Sequence, residues 1–386
     1  MNNQQFSELI NFSRTTTGRY TNAAGLLVEA AIDAPRFDHD SATLQPKGLL
    51  LEPARQNAFT FSQDFSNAAW VKNRTTATVG QIAPDGTATA YTLTINDASG
   101  SAYLFRQNVA WTAGNIYSVS LYAKAGNQPI VYLSYLGAAF GGTNQVNFDL
   151  TGNGSFVVTG AGSAGTTARI EKLANGWFRL SMSATCTVSQ PAANWIVYSQ
   201  PVVLNNSFIA WGAQFEIGQG ATSYIPTTTV AVTRAADIAF VDPAAWLREG
   251  EGTLYTEAIS YGGQRFKASL GTTAASGSRA ANWENPAGIL ASQVVAPDLS
   301  TSFAASLTTI GVGVLSKQAV AWRRNDFQGA ANGLISFVDT SGEPPLAQRL
   351  SLGARGISTD LLNGHLRRVK YFPYRLSGDE LRALTQ

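Results

Sequence analysis

Between Trp211 and Ile217 the chain alternates strictly, with Trp211, Ala213, Phe215 and Ile217 interleaved with Gly212, Gln214 and Glu216, and Gly218 next in phase. A period of two puts successive side chains on opposite faces of an extended strand, so this stretch predicts a strand with one buried and one solvated face. The Gly-rich GQG that follows, then Ile225-Pro226 and three threonines, cannot continue a sheet interior and reads as an exit loop. The same period recurs upstream. Tyr117, Val119, Leu121 and Ala123 share one face of IYSVSLYAKAG, and Phe178, Leu180, Met182, Ala184 and Cys186 share one face of WFRLSMSATC. Turn residues punctuate these runs at Pro84-Asp85-Gly86, Ala125-Gly126-Asn127, Thr151-Gly152-Asn153-Gly154 and Ala174-Asn175-Gly176. Turns at this spacing predict a sandwich, and Asn175-Gly176 ahead of Trp177 is a hairpin signal.

Composition narrows the class further. At 386 residues the chain has length for two or three domains, each with its own core. Only 13% of residues are charged and the net charge is +2, with no basic stripe, so no broad field favours nucleic acid or an anionic membrane. Thirty-six glycines, with abundant Thr, Ser, Ala and Asn, suit short strands and tight turns rather than helices. Eight tryptophans exceed what turns need and imply sandwich cores, sugar platforms or both. Cys186 is the single cysteine, so no intrachain disulfide forms, and its place in a strand-like run predicts a small buried hydrophobe. Met1–Gln5 carries no basic residue and no apolar h-region follows, so no secretory signal is expected. No apolar run approaches the ~18 residues of a membrane-spanning helix, and no membrane insertion is expected.

Three segments emerge. Residues 1–56 have weak periodicity, with a short helix predicted at Gln5–Ile10 and a hairpin in GRYTNAAGLLVEAA turning at Asn22 to Gly25. Such a segment is expected to pack on a neighbouring domain or on another chain. Residues 57–240 are strand-rich, and VTRAADIAFVDPAAW reads as a linker. Residues 241–386 open a second sandwich at Gly252–Ile259, where Leu254, Thr256 and Ala258 oppose Tyr255, Glu257 and Ile259. Val369 and Tyr371 share a face of the last strand; Ser377 then caps a short helix, with Glu380 where a capping box places it.

Longer patterns carry a family resemblance. Asn57–Lys72 (NAFTFSQDFSNAAWVK) and Trp211–Asp237 resemble the opening and the close of a galactose-binding-like jelly roll, the carbohydrate-binding-module sandwich common in tailed-phage virion proteins. The preceding leader is similar to that of phage tail and adsorption proteins. Its pattern runs F-x-R-x-(S/T), Y-x-(N/D), A-x-x-x-P-R-F-D, then G-L-L-(hydrophobic)-E-x-A-R-x-N. The matching positions are Phe12 and Arg14; Tyr20, Asn22 and Gly25; Pro35 to Asp38; and Gly48 to Leu50, Glu52, Ala54, Arg55 and Asn57. This resemblance covers roughly residues 12–240. Residues 252–262 and 363–384 resemble the two ends of a concanavalin A-like (laminin-G-like) sandwich. The resemblances imply an all-β chain: two antiparallel β-sandwiches, jelly roll plus concanavalin-like, preceded by an irregular leader for virion attachment and closed by a short helix.

Catalytic chemistry has little to stand on. Two histidines, His39 and His365, cannot supply a metal cluster; both read as structural, and HExxH, CxxC and GxSxG do not occur. No cofactor or metal is expected, and Asp85-Gly86 is a turn rather than a calcium loop. Glycoside hydrolysis needs two convergent carboxylates; Glu257 and Glu284 are available, but Glu257 reads as solvent-facing. Sugar binding needs a flat aromatic plus amides, carboxylates or Arg. Trp70, Trp177 and Trp211 read as jelly-roll framework, whereas Trp111, Trp195, Trp283 and Trp322 are less constrained. The run AWRRNDFQGAANG and the segment SGSRAANWENPAG place the candidate glycan site at Trp322, Arg324, Asp326 and Trp283. One such aromatic–basic run without wider positive charge does not point to nucleic acid. The resemblance therefore implies a non-enzymatic structural protein of a tailed-phage virion, a tail-fibre or adsorption component made in the host cytoplasm. Its expected partners are other virion proteins, further copies of itself (a homo-oligomer, trimer first) and host-surface polysaccharide. The alternatives are a polysaccharide depolymerase and a ligand-free decoration, collar or neck protein.

Overall fold

The computed structural model describes residues 9–100, 103–135, 137–199, 201–242 and 247–386. Most of the helix predicted at Gln5–Ile10 and the side chain of Trp195 lie outside the described residues. Half of the chain is strand and only 4% is helix, arranged as two antiparallel β-sandwiches. The first packs a six-stranded sheet built around Ile116–Ala125 and Ser207–Ile217 against a second six-stranded sheet built around Ile130–Tyr135 and Gln190–Ser199. Val119, Leu121, Leu180 and Met182, assigned to inward faces by their period, all lie in the core between them. Trp111 is the hub of that core, with ring centroids of Tyr117, Tyr135, Phe140 and Phe215 at 4.7–5.1 Å. Edge-to-face geometry at these separations adds to the apolar burial. Cys186 is buried in the same core.

The two sequence blocks at the ends of this sandwich are tied together by Asn57, among other contacts. Asn57 donates to the carbonyls of Ala213 (3.2 Å) and Ile225 (2.8 Å), and its Oδ1 accepts from the amides of Phe59 (3.1 Å) and Phe215 (3.0 Å). The hairpin at Asn175-Gly176 forms as the dipeptide predicts, with φ of 57° and 76°, joining Thr167–Lys172 to Trp177–Thr185. The alternation at 211–217 needs correcting. Gly212 sits at φ 62° in a bulge opposite Leu121, which shifts the register. Ala213 and Phe215 enter the sandwich core while Trp211 joins a separate cluster with Tyr122, Trp177, Tyr224 and Leu27 of the leader. The face expected to be wet is covered: Gln214 donates to Thr222 and Ser223, Glu216 accepts from Thr222, and both side chains are buried.

The second sandwich packs two seven-stranded sheets, and the leader supplies strands to both. Asn11–Ser13 pairs with Ile238–Val241 at the edge of one; Pro46–Leu51 pairs with Gly364–Phe372 in the other, with Phe37–His39 beyond it. The segment read as a linker is thus woven into the fold: Val232–Arg234 pairs with Arg55–Asn57, and Ile238–Val241 lies between Asn11–Ser13 and Arg349–Leu352. Leu254 and Ala258 point into the core, as their period predicts.

The chain closes with the helix Gly378–Thr385, whose Leu381 packs under Tyr255 and Ala319. Its capping box is complete: Ser377 accepts from the Glu380 amide and the Glu380 carboxylate accepts from Ser377. Ser377→Ala is expected to cost about 1 kcal/mol of helix stability. Hydrogen exchange at the amides of 378–385 should accelerate in Ser377→Ala and stay slow in Ser377→Asp; equal rates in wild type and Ser377→Ala would count against the cap.

Candidate functional site

Three charged positions of the leader pattern, Arg14, Arg36 and Glu52, converge on the segment after the jelly roll. Asp237 accepts from Arg14 Nη1 (3.1 Å), Arg36 Nη2 (2.5 Å) and the amide of Glu52 (2.9 Å), with Arg234 Nη1 at 3.7 Å. The Glu52 carboxylate lies 2.8 Å from Arg36 and 3.4 Å from Arg234, and accepts from the Ser223 amide (2.6 Å) and hydroxyl (2.7 Å). All five charged side chains are at most 2% exposed. Burial alone would push the Glu52 carboxyl up, but Arg234, Arg36 and Ser223 outweigh it and hold the group well below the usual carboxylate range. The network ties the leader to the exit loop of the jelly roll and to the first strand of the second sandwich.

A cleft opens beside this network, where leader, jelly roll and second sandwich meet. Lys47 of the leader pairs with Glu171 of the jelly roll, whose second oxygen accepts from Arg169 Nη2 at 2.8 Å. Arg169 lies 3.9 Å above the Tyr261 ring, a cation–π contact across to the second sandwich. The Tyr261 hydroxyl meets His365 Nδ1 (3.0 Å), and His365 Nε2 meets Asp38 Oδ2 (2.7 Å). The other Asp38 oxygen accepts from the Thr21 amide at 2.6 Å. His365 is thus a buried crosspiece between leader and second sandwich, in keeping with its structural reading. The Glu171 carboxyl is also held low, burial being overridden by Arg169 and Lys47. Among the described residues no group of three His, Cys, Asp or Glu side chains is placed to hold a metal ion.

The four residues expected to bind glycan do not form one site. Trp322 lies on Leu315–Arg323 with its ring in the core of the second sandwich, 1% exposed, beside Tyr371 and over Gly252. A sugar cannot stack on that ring without opening the core. Arg324 is exposed at the following turn and pairs with Glu343 (2.9 Å), while Asp326 is held by Arg323 (2.9 Å) and Arg375 (2.7 Å). Trp283 belongs to the opposite sheet. Its neighbour Asn282 donates across the core to Leu254 and Gln318, so Trp283 faces outward, half-buried and stacked on Phe266 at 5.9 Å and 12°. Arg355 and Arg279 flank Phe266 at 5.5 and 6.0 Å.

The carboxylates considered for hydrolysis are engaged elsewhere. Glu257, expected to face solvent, is buried; it accepts from the Tyr255 hydroxyl (2.7 Å) and pairs with Arg368 (3.3 Å). Glu284 points inward onto Lys267 at 3.5 Å, where burial lifts its carboxyl and depresses the lysine to about 8. The cleft escaped sequence reading because its lining comes from distant segments with no common motif; the quoted leader positions Tyr20, Gly25, Asp38, Leu50 and Glu52 were its local signal.

Asp237→Asn leaves three buried arginines with Glu52 as their only full counter-charge. Removing one partner of such a cluster is expected to cost about 3–5 kcal/mol, seen as a lower urea midpoint and faster proteolysis within residues 9–56. An unchanged midpoint would show that the network does not hold the leader. The same carboxyls set the acid limb. Glu52 and Glu171 have folded values below an unfolded value of ~4.3, so their stabilisation is fully present above that value. It is lost as pH falls from there through the folded values. Urea midpoints should be flat from neutrality to about pH 5 and fall increasingly below about pH 4, and Glu171→Gln should remove part of that slope.

Neither the protein-family models nor the curated proteins contain a match. Among solved structures, the chain is similar to the Ruminococcus gnavus IT-sialidase CBM40 bound to alpha2,6 sialyllactose, with 18% identity over 36% of this chain and 85% of that one, at a TM-score of 0.31. It is also similar to the native heptameric SAP-like pentraxin from Limulus polyphemus (12% identity, 34% and 68% coverage, TM-score 0.29). Mouse laminin alpha1 chain domains LG4-5 match at 10% identity over 69% of this chain and 85% of that one, with a TM-score of 0.24.

Proposed function

We propose that this chain is a non-enzymatic structural component of a tailed-phage particle, of the tail-fibre or adsorption type, that presents its second sandwich to host-surface glycans. The observation that carries the proposal is the fate of the leader pattern shared with phage adsorption proteins. Four of its five charged positions, Arg14, Arg36, Asp38 and Glu52, are buried in contacts that fasten the leader to both sandwiches. A signature devoted to holding three parts rigid suits a presenting scaffold; a hydrolase would need carboxylates free to reach substrate. The edge strand Ser155–Thr159, with Phe156 and Val157 exposed, favours self-association into the expected homo-oligomer. Repetition on a particle would raise a weak glycan contact by avidity. Trp283, stacked on Phe266 between arginines, is an aromatic on an outer sheet face that a sugar can reach.

The test compares virions carrying the wild-type chain or Trp283→Ala, labelled with antibody to this chain and assayed for adsorption to host cells. Expected are label on the tail and weakened adsorption by the variant at unchanged particle yield. Absence of the label from particles, or release of reducing ends from host polysaccharide by the purified chain, would overturn the proposal.

A further inference from the structure

The cleft beside the buried network has a surplus of hydrogen-bond donors. Its carboxylates are already satisfied: Asp38 accepts from Thr21 and His365, Glu171 from Lys47 and Arg169, and Glu52 from Ser223 and Arg36. Two arginines of the lining are not matched in this way. Arg179 places Nη2 on the Thr222 carbonyl and on Ser120 Oγ (3.2 Å), and its buried Nε has no hydrogen-bond partner. Arg19 reaches a carboxylate only at 3.9 Å, Glu29 at the surface, and its Nε is likewise buried without a partner. Arg36 and Arg234 also leave Nε unused, but their terminal nitrogens sit on carboxylates. Arg19 and Arg179 therefore bring charge into the cleft that no described acid neutralises within hydrogen-bond distance.

We propose that this cleft binds an oxyanion, a phosphate, a sulfate or a sugar-borne carboxylate, between Arg19 and Arg179. Guanidinium forks match two oxygens of such a group, and charge-assisted bonds are strongest where water is limited. The Tyr122 ring, 5.4 Å from the Arg179 guanidinium carbon, forms one wall of the cleft. The cavity is about 60 Å³. That is room for a small oxyanion at the two arginines. Arg19 and Lys47, with side chains 20% and 15% exposed, keep a route to solvent, so a group carried on a larger molecule enters as its tip.

The site is separate from Trp283, and its test is separate too. The full chain is titrated by calorimetry with inorganic phosphate, sulfate and glucuronate, each against chloride at constant ionic strength. At least one should bind saturably, and Arg19→Gln should weaken it about tenfold while leaving the anion-free melting temperature unchanged. Arg323→Gln, an exposed arginine elsewhere, should bind as wild type. Glucuronate alone binding assigns a sugar-borne carboxylate; phosphate or sulfate alone assigns a tetrahedral anion. Should Arg19→Gln melt early, Arg19→Lys, which keeps the charge with fewer donors, should still weaken binding. Absence of saturable binding by all three, or wild-type affinity in the Arg19 variants, overturns the proposal. Normal anion binding with unimpaired adsorption by Trp283→Ala would remove the glycan reading and leave this one standing.

Discussion

The Asp237 carboxylate, shared among Arg14, Arg36 and Arg234 and backed by Glu52, is the contact on which the arrangement of this chain depends. A charge removed from water is tolerated only when its partners are in place. These five groups come from the leader and from the segment after the jelly roll, so neither region can leave without stranding the other's charge. The leader's burial is therefore a condition of the fold. The net excess of one arginine within the cluster is balanced by carbonyls: Arg14 donates to Thr16, Ala31 and Ala34, and Arg234 to Pro53 and Ala235.

Around this centre the two sandwiches are closed by different means. The jelly roll uses aromatic packing about Trp111 and the four hydrogen bonds of Asn57, which join its first and last segments. The second sandwich recruits leader strands into both sheets. The chain thus enters the second sandwich, builds the first, and returns to finish the second. Val232–Arg234 pairs with Arg55–Asn57 where these two passages run side by side.

That geometry separates scaffold from recognition surface. The charged motif positions Arg14, Arg36, Asp38 and Glu52 lie inside, where they hold parts together. Two groups away from the network keep unspent capacity: the Trp283–Phe266 stack on an outer sheet face, and the Arg19 and Arg179 donors in the three-way cleft. Trp322 shows why residue type does not distinguish the two classes. Its neighbours Arg323, Arg324 and Asp326 are surface or turn residues, yet the ring itself points into the core.

Local physics was legible in the sequence. Period-two faces at 117–123 and 178–186, the Asn175-Gly176 hairpin, the Ser377 capping box and the buried Cys186 depend on neighbours a few residues away, and the chain carries those neighbours with it. What lies across a face is another matter. Period two marks Gln214 and Glu216 as one side of a strand but says nothing of the exit loop that covers them, and a glycine bulge at 212 resets the phase. The linker reading failed for the same reason, because Arg14 and Asp237 are 223 positions apart and only the folded chain brings them to 3.1 Å. Sequence alone determined strands, turns and the all-β class, since these follow from backbone geometry and nearest neighbours. The tertiary structure decided which tryptophan is core, where the leader docks and which arginines keep free donors, because burial and charge pairing are set by groups that meet only after folding.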